Sequence, residues 1–467
     1  MTWTTAMAVA LLLGQTSADG AATSEVPPAQ PTLPADATGP VITLDEALRV
    51  AGERNLELQA LEGQLDQAQE ITWKALSLYF PQVTVGASYT LQEEQRQDVV
   101  FPLGAASPQP GNLPPGTTAV NVGSASVVTQ KNGLLGAQAE ATQTLVSPRL
   151  FFAIRGARDT QRAAVLNIEN GRRQVLFGVA RAYYGVAALK EAIGVSERLL
   201  EIARRQEHDA RVRYNAGAIA KVGLIRAQID RARAEEDLRR ARAQYLSAKV
   251  ALAGLLARDT AFEVEAPPEP TLPATELDPL VTQAIESRPD VKAARSQQRA
   301  EEENRRAAWS RYFPDVQAFG QYQWSNMDVP GRDSGAWYGG VRLQWTILDG
   351  FRRESDIREA NGRVAETRAR AESAVVTVRT QVTQALLDLE ALRSNAQKAR
   401  EQRDLATENL RLVDVAYRAG TATAVEQADA VAQLRNAEIL VTTERLNAQL
   451  AALNVLNVIG SFNPRAH

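Results

Sequence analysis

Cysteine is absent from all 467 residues, and histidine is nearly absent, with two. Lacking cysteine, the chain has no disulfide, thiol nucleophile, thiolate metal site or N-terminal lipid-modified cysteine. His208 and His467 alone give a histidine metal site or a nucleophile–histidine pair too little to work with. Aromatic residues are also sparse, 6% against a hydrophobic content of 45%. The apolar positions are therefore mostly Ala, Val and Leu, a mixture that favours long, closely packed helices over a core of large rings. Positive charge is not in excess: the net charge is −3, which excludes a nucleic-acid surface. Beyond the N-terminal region no apolar run reaches the 18 or so residues of a membrane-spanning helix. An exported chain without one is soluble or crosses a membrane as a β-barrel. No Gly-rich phosphate loop of the Walker type and no catalytic constellation is present, so neither enzyme nor cofactor is expected.

What is present begins with Ala6 to Leu13, a short apolar run followed by small residues, which resembles a secretory signal peptide over 1–22. Residues 23–40 hold five Pro and read as an extended linker. The remainder is written twice. Tyr79-Phe80-Pro81 recurs as Tyr312-Phe313-Pro314, 233 residues on, and the turn at Tyr214 and Gly217 recurs at Tyr417 and Gly420, 203 residues on. The difference of 30 sits between the two landmarks, where the Pro/Gly/Ser/Asn-rich stretch 92–133 answers only 325–336. A long loop in copy one thus replaces a short one in copy two.

The helices keep the second register. Val175, Val179, Ala182, Val186, Leu189 and Ile193 step by four and three, and Val378, Val382, Ala385, Leu389, Leu392 and Ala396 repeat the steps 203 residues later. This heptad seam marks helices that pack on a partner. The spacing predicts repeat one over 41–260 (helix 42–79, strands 83–91 and 134–145, helices 148–216 and 219–257). After a linker at 261–275, repeat two spans 276–460 (helix 276–311, strands 315–324 and 337–347, helices 350–419 and 422–459), with a tail at 461–467. Each long helix, at 1.5 Å per residue, is a rod of about 100 Å that ends at a capping Gly, Gly217 or Gly420.

Four stretches alternate with period two, apolar against polar, at the length a tilted strand needs to cross a bilayer. The alternation at 134–145 is one residue out of phase with copy two, which implies a bulge or a one-residue indel. Pro81 and Pro314 end a helix and start a strand, whereas Ser147-Pro148 and Asp349-Gly350 turn strand back to helix. All four rods leave one end of a β layer. Four strands cannot close a barrel and open edges cannot sit in lipid, so the protomer must associate; two or more copies satisfy this, and three give twelve strands.

Together, in order and duplicated, the Ile42-Thr43-Leu44-Asp45-Glu46-Ala47-Leu48 opening, the two Tyr-Phe-Pro junctions, Leu348-Asp349-Gly350-Phe351-Arg352-Arg353 and the Tyr-x-x-Gly turns resemble the outer membrane efflux protein family, the TolC-like outer-membrane factors. The resemblance covers about 41–460. It implies a mainly α chain with a membrane β-barrel segment, forming a homotrimer with a twelve-stranded barrel and an α-helical coiled-coil tunnel. It further implies an outer-membrane duct of a Gram-negative bacterium for efflux or type I secretion, working with a periplasmic adaptor (membrane fusion protein) and an inner-membrane transporter. By the same resemblance Glu426, Asp429 and Tyr417 fall at gating positions; copy one has Gly223 and Arg226 opposite the two carboxylates. The family's polar latch has no counterpart, because Ala422 and Gly223 stand at its positions. The tip turns, with Gly217, Ile219, Val222, Gly420 and Val425, are the expected adaptor-docking surface. A periplasmic coiled-coil adaptor is the alternative reading, though it calls for a single hairpin rather than two.

Overall fold

The computed structural model describes residues 39–91, 95–100, 124–130, 133–272, 276–326 and 334–462. The expected signal peptide at 1–22, the linker up to 38, much of the 92–133 insertion and the tail from 463 lie outside the described residues.

Each copy opens with two helices where one was expected: α1 (Leu44–Arg54) and α2 (Leu56–Leu76) in place of helix 42–79, and α5 (Leu277–Ser287) and α6 (Pro289–Trp309) in place of 276–311. The breaks fall at Asn55 and Arg288, which are 233 residues apart and extended, with ψ 124° and 127°. Pro289 forces its predecessor out of the helical region. Asn55 achieves the same break by capping. Its Oδ1 accepts from the backbone N–H groups of Glu57 and Leu58 at 2.9 and 3.1 Å, and its Nδ2 donates to the Leu255 carbonyl at 2.7 Å.

The rods follow as α3 (Pro148–Asn215) with its return helix α4 (Lys221–Leu255), and α7 (Arg352–Arg418) with α8 (Ala424–Val458). Their seam is the one the heptads mark. Val378, Val382, Ala385 and Leu389 are buried, as are Val179 and Val186, and Val175, Ala182, Leu189 and Ile193 pack partly buried beside them.

Two apolar cores sit partway along the rods. In the first, α1 and a parallel pair, β1 (Val41–Ile42) with β6 (Glu263–Val264), lie on α3 and α4. Tyr183, fully buried, ties them: its hydroxyl lies 2.8 Å from the Ile42 carbonyl oxygen and 2.9 Å from that of Glu265. Burial pushes the phenol up to about 12, so it remains a neutral donor at any ordinary pH. Beside it, the buried Lys249 reaches Glu263 at 3.2 Å, and Lys190 reaches the same carboxylate at 2.8 Å. Burial alone would raise Glu263, but hydrogen bonds from Lys190, Lys249 and Tyr245 outweigh it and hold the group below the usual carboxylate range. The second core repeats the helical part of the arrangement, with α5 and the start of α6 on α7 and α8.

The β layer is a four-stranded antiparallel sheet in the order β2 (Gln82–Leu91), β5 (Gly133–Val146), β7 (Asp315–Ser325), β8 (Gly335–Gln344). Its register aligns the alternation of all four strands. Val85 pairs with Ala139, Ala139 with Tyr322 and Tyr322 with Trp337; Thr84 pairs with Glu140, Glu140 with Gln321 and Gln321 with Tyr338. One face is therefore apolar from edge to edge apart from Gln143, opposite Ala318, and the other mostly polar. The phase difference in β5 is a bulge: Thr144 pairs with Gln317 and Val146 with Val316, leaving Leu145 as the extra residue. The fourth strand stops at Gln344, short of the expected 347. Its partner β7 begins at Asp315, after a proline that has no N–H to offer. The insertion is not wholly loop, since β3 (Gln95–Val100) and β4 (Ser124–Gln130) pair antiparallel within it.

Replacing Asn55 with Ala removes the α2 cap and the tie to Leu255. A loss of about 1–2 kcal/mol is expected, seen as a lower melting temperature by circular dichroism.

Candidate gate at the helical tip

The two hairpin turns are built alike. Gly217 and Gly420 hold φ of +75° and +78°, the left-handed conformation that glycine adopts without a Cβ penalty. Behind each, the last carbonyls are satisfied in a Schellman pattern. Ala218 N donates to Arg213 O and Gly217 N to Tyr214 O, both at 2.9 Å; Thr421 N donates to Ala416 O at 3.0 Å and Gly420 N to Tyr417 O at 3.1 Å.

Past the turns the copies diverge. Helix α8 starts with a capping box: Thr423 Oγ1 accepts from Glu426 N at 3.2 Å, and Glu426 Oε2 accepts from Thr423 N at 2.7 Å. Helix α4 has Ala220 and Gly223 at those positions and no side-chain cap. Glu426 thus has a structural role that its charge alone does not reveal, although Thr-x-x-Glu ahead of an apolar-periodic stretch is a legible signal. The Thr423 backbone N–H, followed by its hydroxyl, holds the Glu426 carboxyl below its ordinary range. Asp429 is exposed like Glu426 and accepts from Gln433 Nε2 at 2.8 Å.

Tyr417 is 8% exposed, at the contact between the two hairpins. The Arg213 guanidinium of copy one lies 4.4 Å from its ring centroid and donates to its carbonyl at 3.2 Å. On the same stretch, Asp414 accepts from Gln427 at 2.8 Å and pairs with Arg418 at 2.7 Å. Sequence reasoning missed Arg213, because its partner lies 204 residues away and nothing local marks the pair. Of the expected docking residues, Val222 and Val425 are exposed. Ile219 is half-buried instead, its Cδ1 lying over Gly223, where an added Cβ would meet it at 3.3 Å.

The junction residues lie at the opposite end of the rods. Pro81 and Pro314 directly precede β2 and β7. Tyr79 donates to the Ser147 carbonyl at 3.1 Å and Tyr312 to Glu354 at 2.8 Å, so each Tyr-Phe-Pro turn holds the start of its own long helix. Asp349 Oδ2 accepts from Arg353 N at 3.2 Å, and the buried Arg353 guanidinium stacks 4.6 Å from the Tyr312 ring and donates to the Ile347 carbonyl at 2.7 Å. Gly350 and Phe351 are both left-handed, with φ +68° and +67°. For Phe351 this costs about 1–2 kcal/mol.

The model of the outer membrane efflux protein family matches residues 47–258 and 280–461. No curated protein sequence matches the chain. Among solved structures, VceC of Vibrio cholerae is similar at TM-score 0.70 and 19% identity, over 89% of this chain and 96% of that one. CmeC of Campylobacter jejuni gives 0.70 and 14% over 91% and 87%. The open state of MtrE of Neisseria gonorrhoeae gives 0.68 and 20% over 89% and 88%. At these identities the likeness is one of fold.

Replacing Thr423 with Ala removes the hydroxyl that supports the lowered Glu426 carboxyl. A group whose folded value is depressed contributes stability above its unfolded value and loses it as pH falls through the folded value. In the variant, Glu426 should therefore protonate at higher pH and the start of α8 should fray earlier on acidification. Carboxyl titration followed by NMR in a ¹³C-Glu sample checks this, and an unmoved titration would remove the hydroxyl's share and leave the backbone N–H, which the variant keeps, as the cause.

Proposed function

The chain belongs to the outer membrane efflux protein family, and from that premise we propose that it is the outer-membrane duct of a tripartite efflux or type I secretion system. It acts as a homotrimer and conducts cargo passively across the periplasm and the outer membrane. A partner inner-membrane transporter supplies the energy, and a periplasmic adaptor joins the two.

The observation that carries this reading is an unfilled equivalence between the copies. Copy one meets copy two through β5 on β7, α3 on α6 and α3 on α8. The corresponding pairs, β8 with β2, α7 with α2 and α7 with α4, make no comparable contact within the chain. Among the described residues nothing else pairs with those edges or packs as a partner on those faces. β2 and β8 are the sheet's two open edges, and Leu387, Leu405 and Leu412 on α7 are exposed, as are Ile225, Ile229 and Val250 on α4. A second copy supplies what is missing, and repetition around an axis closes the ring. In lipid each unpaired edge group costs several kcal/mol, so the closed ring is the stable form. Two copies would close eight strands and three would close twelve; the family supports three.

In that ring the apolar sheet face, with Val83, Val85, Tyr89, Trp337, Val341 and Leu343 exposed, faces lipid. The polar face, carrying Thr84, Glu140, Gln321 and Arg342, lines the lumen. At the far end, Glu426 and Asp429 place six carboxylates around the mouth. Arg213 over Tyr417 ties the copy-two hairpin to copy one and holds the mouth narrow where the family's polar latch has no residues. The turns at Gly217 and Gly420 present Val222 and Val425 to the adaptor.

Extraction from outer-membrane fractions with detergent should yield a particle of about three times the 50.7 kDa chain; a soluble monomer would sink the duct reading. In planar bilayers, Glu426→Ala with Asp429→Ala should lower cation selectivity and relieve block by multivalent cations. Arg213→Ala should raise single-channel conductance. Unchanged selectivity, block and conductance would remove these residues from the gate.

A further inference from the structure

At the copy-two junction the structure spends strain to expose an aromatic side chain. Phe351 is left-handed, φ +67°, where copy one has Pro148, and the residue is 72% exposed. It also caps nothing. Ser147 of copy one accepts from Leu150 N at 3.2 Å, whereas Phe351, the residue just before α7, has no side chain able to do so. A glycine there would relieve the backbone, so the ring itself is what the position retains.

Its surroundings indicate what covers it. Leu343, on the apolar face of β8, is followed at the same parity by Trp345 and Ile347, and then by Leu348; all are exposed. Trp345 Nε1 donates to the Tyr312 carbonyl at 3.0 Å, which satisfies its polar edge while its ring stays open. Past the last strand pair, exposed apolar side chains thus follow the sheet's apolar face in sequence, down to Phe351. Immediately next to it stands Arg352, and 203 residues earlier stands Arg149, the equivalent residue of copy one. Both are exposed, and among the described residues neither has an ion pair or side-chain hydrogen bond. An arginine in the first turn of a helix lies against the helix dipole, yet both copies have one.

We propose that Phe351, Arg352 and Arg149 form a phospholipid-binding collar at the membrane edge on the helical side of the sheet. The Phe351 ring sits at the headgroup–acyl boundary, and the two guanidinium groups take lipid phosphodiesters. This rests on the reading of the sheet as membrane-spanning. Continuity with the lipid-facing residues and the charge of the two arginines select a phospholipid over a neighbouring protomer: an aromatic beside a free cation matches a headgroup interface, not an apolar helix seam.

Because the chain has no cysteine, single labels can be placed directly in the full chain. Phe351→Cys and, separately, Val85→Cys would each carry an environment-sensitive fluorophore in phosphatidylcholine–phosphatidylglycerol nanodiscs with a nitroxide near the headgroup or deep in the acyl chain. The collar requires the label at 351 to be quenched more by the headgroup nitroxide and the label at 85 more by the deep one. If 85 is quenched by lipid but 351 only by aqueous iodide, or by neither, the collar is wrong and the membrane sheet stands. If neither label is quenched by lipid, the spanning reading itself fails. Arg149→Gln with Arg352→Gln should weaken retention of phosphatidylglycerol through detergent washing roughly tenfold. Unchanged retention would overturn the arginines' part. Phe351→Gly should leave the melting temperature equal or higher while lowering retention, which separates lipid contact from folding.

Discussion

A backbone N–H or C=O at the edge of a β-sheet has no water to turn to in hydrocarbon. The proposed assembly follows from that constraint. Among the described residues the four-stranded sheet leaves β2 and β8 unpaired on their outer sides, and in the proposed assembly another copy of the chain supplies the partner for each. Closing the edges forces the sheet to curve, brings the attached rods into a ring and turns the polar sheet face inward. The tunnel is then the continuation of a hydrogen-bonding requirement met within the membrane.

Much of this was legible because periodicity is a local property. Alternation of two and steps of three and four place each apolar side chain without knowledge of its partner, and Pro81 and Pro314 mark where one period gives way to the other. Even the bulge at Leu145 showed as a slip of phase. What escaped depended on side chains acting outside the pattern. Asn55 breaks a helix that has no proline, because its carboxamide satisfies two backbone donors and one distant carbonyl at once. Glu426 read as a charge when it also caps. Arg213 finds Tyr417 only through tertiary structure. The strands β3 and β4 lie within a Pro- and Gly-rich stretch whose composition argues for loop.

The tip shows how a duplicated fold acquires direction. Both turns share the glycine and its Schellman bonds, which are set by the backbone. They differ in side chains that the turn does not require: Thr423 and Glu426 against Ala220 and Gly223. A pair of near-identical hairpins can therefore take different roles, one carrying the charge and the other supplying Arg213, at little cost to the packing of the rods.

The parity of the copies also has a mechanical consequence. In a closed ring of three, six copy-to-copy seams alternate around the circumference. Three are spanned by a continuous polypeptide, with residues 261–275 leading from one copy to the next, and hold their partners at a fixed high effective concentration. The other three rest on side chains and backbone pairing alone. Under lateral pressure or dilution such a ring would part along the second set, so in the proposed assembly the β2 and β8 margins, with the faces of α2, α4 and α7 beside them, would set the lifetime of the whole pore.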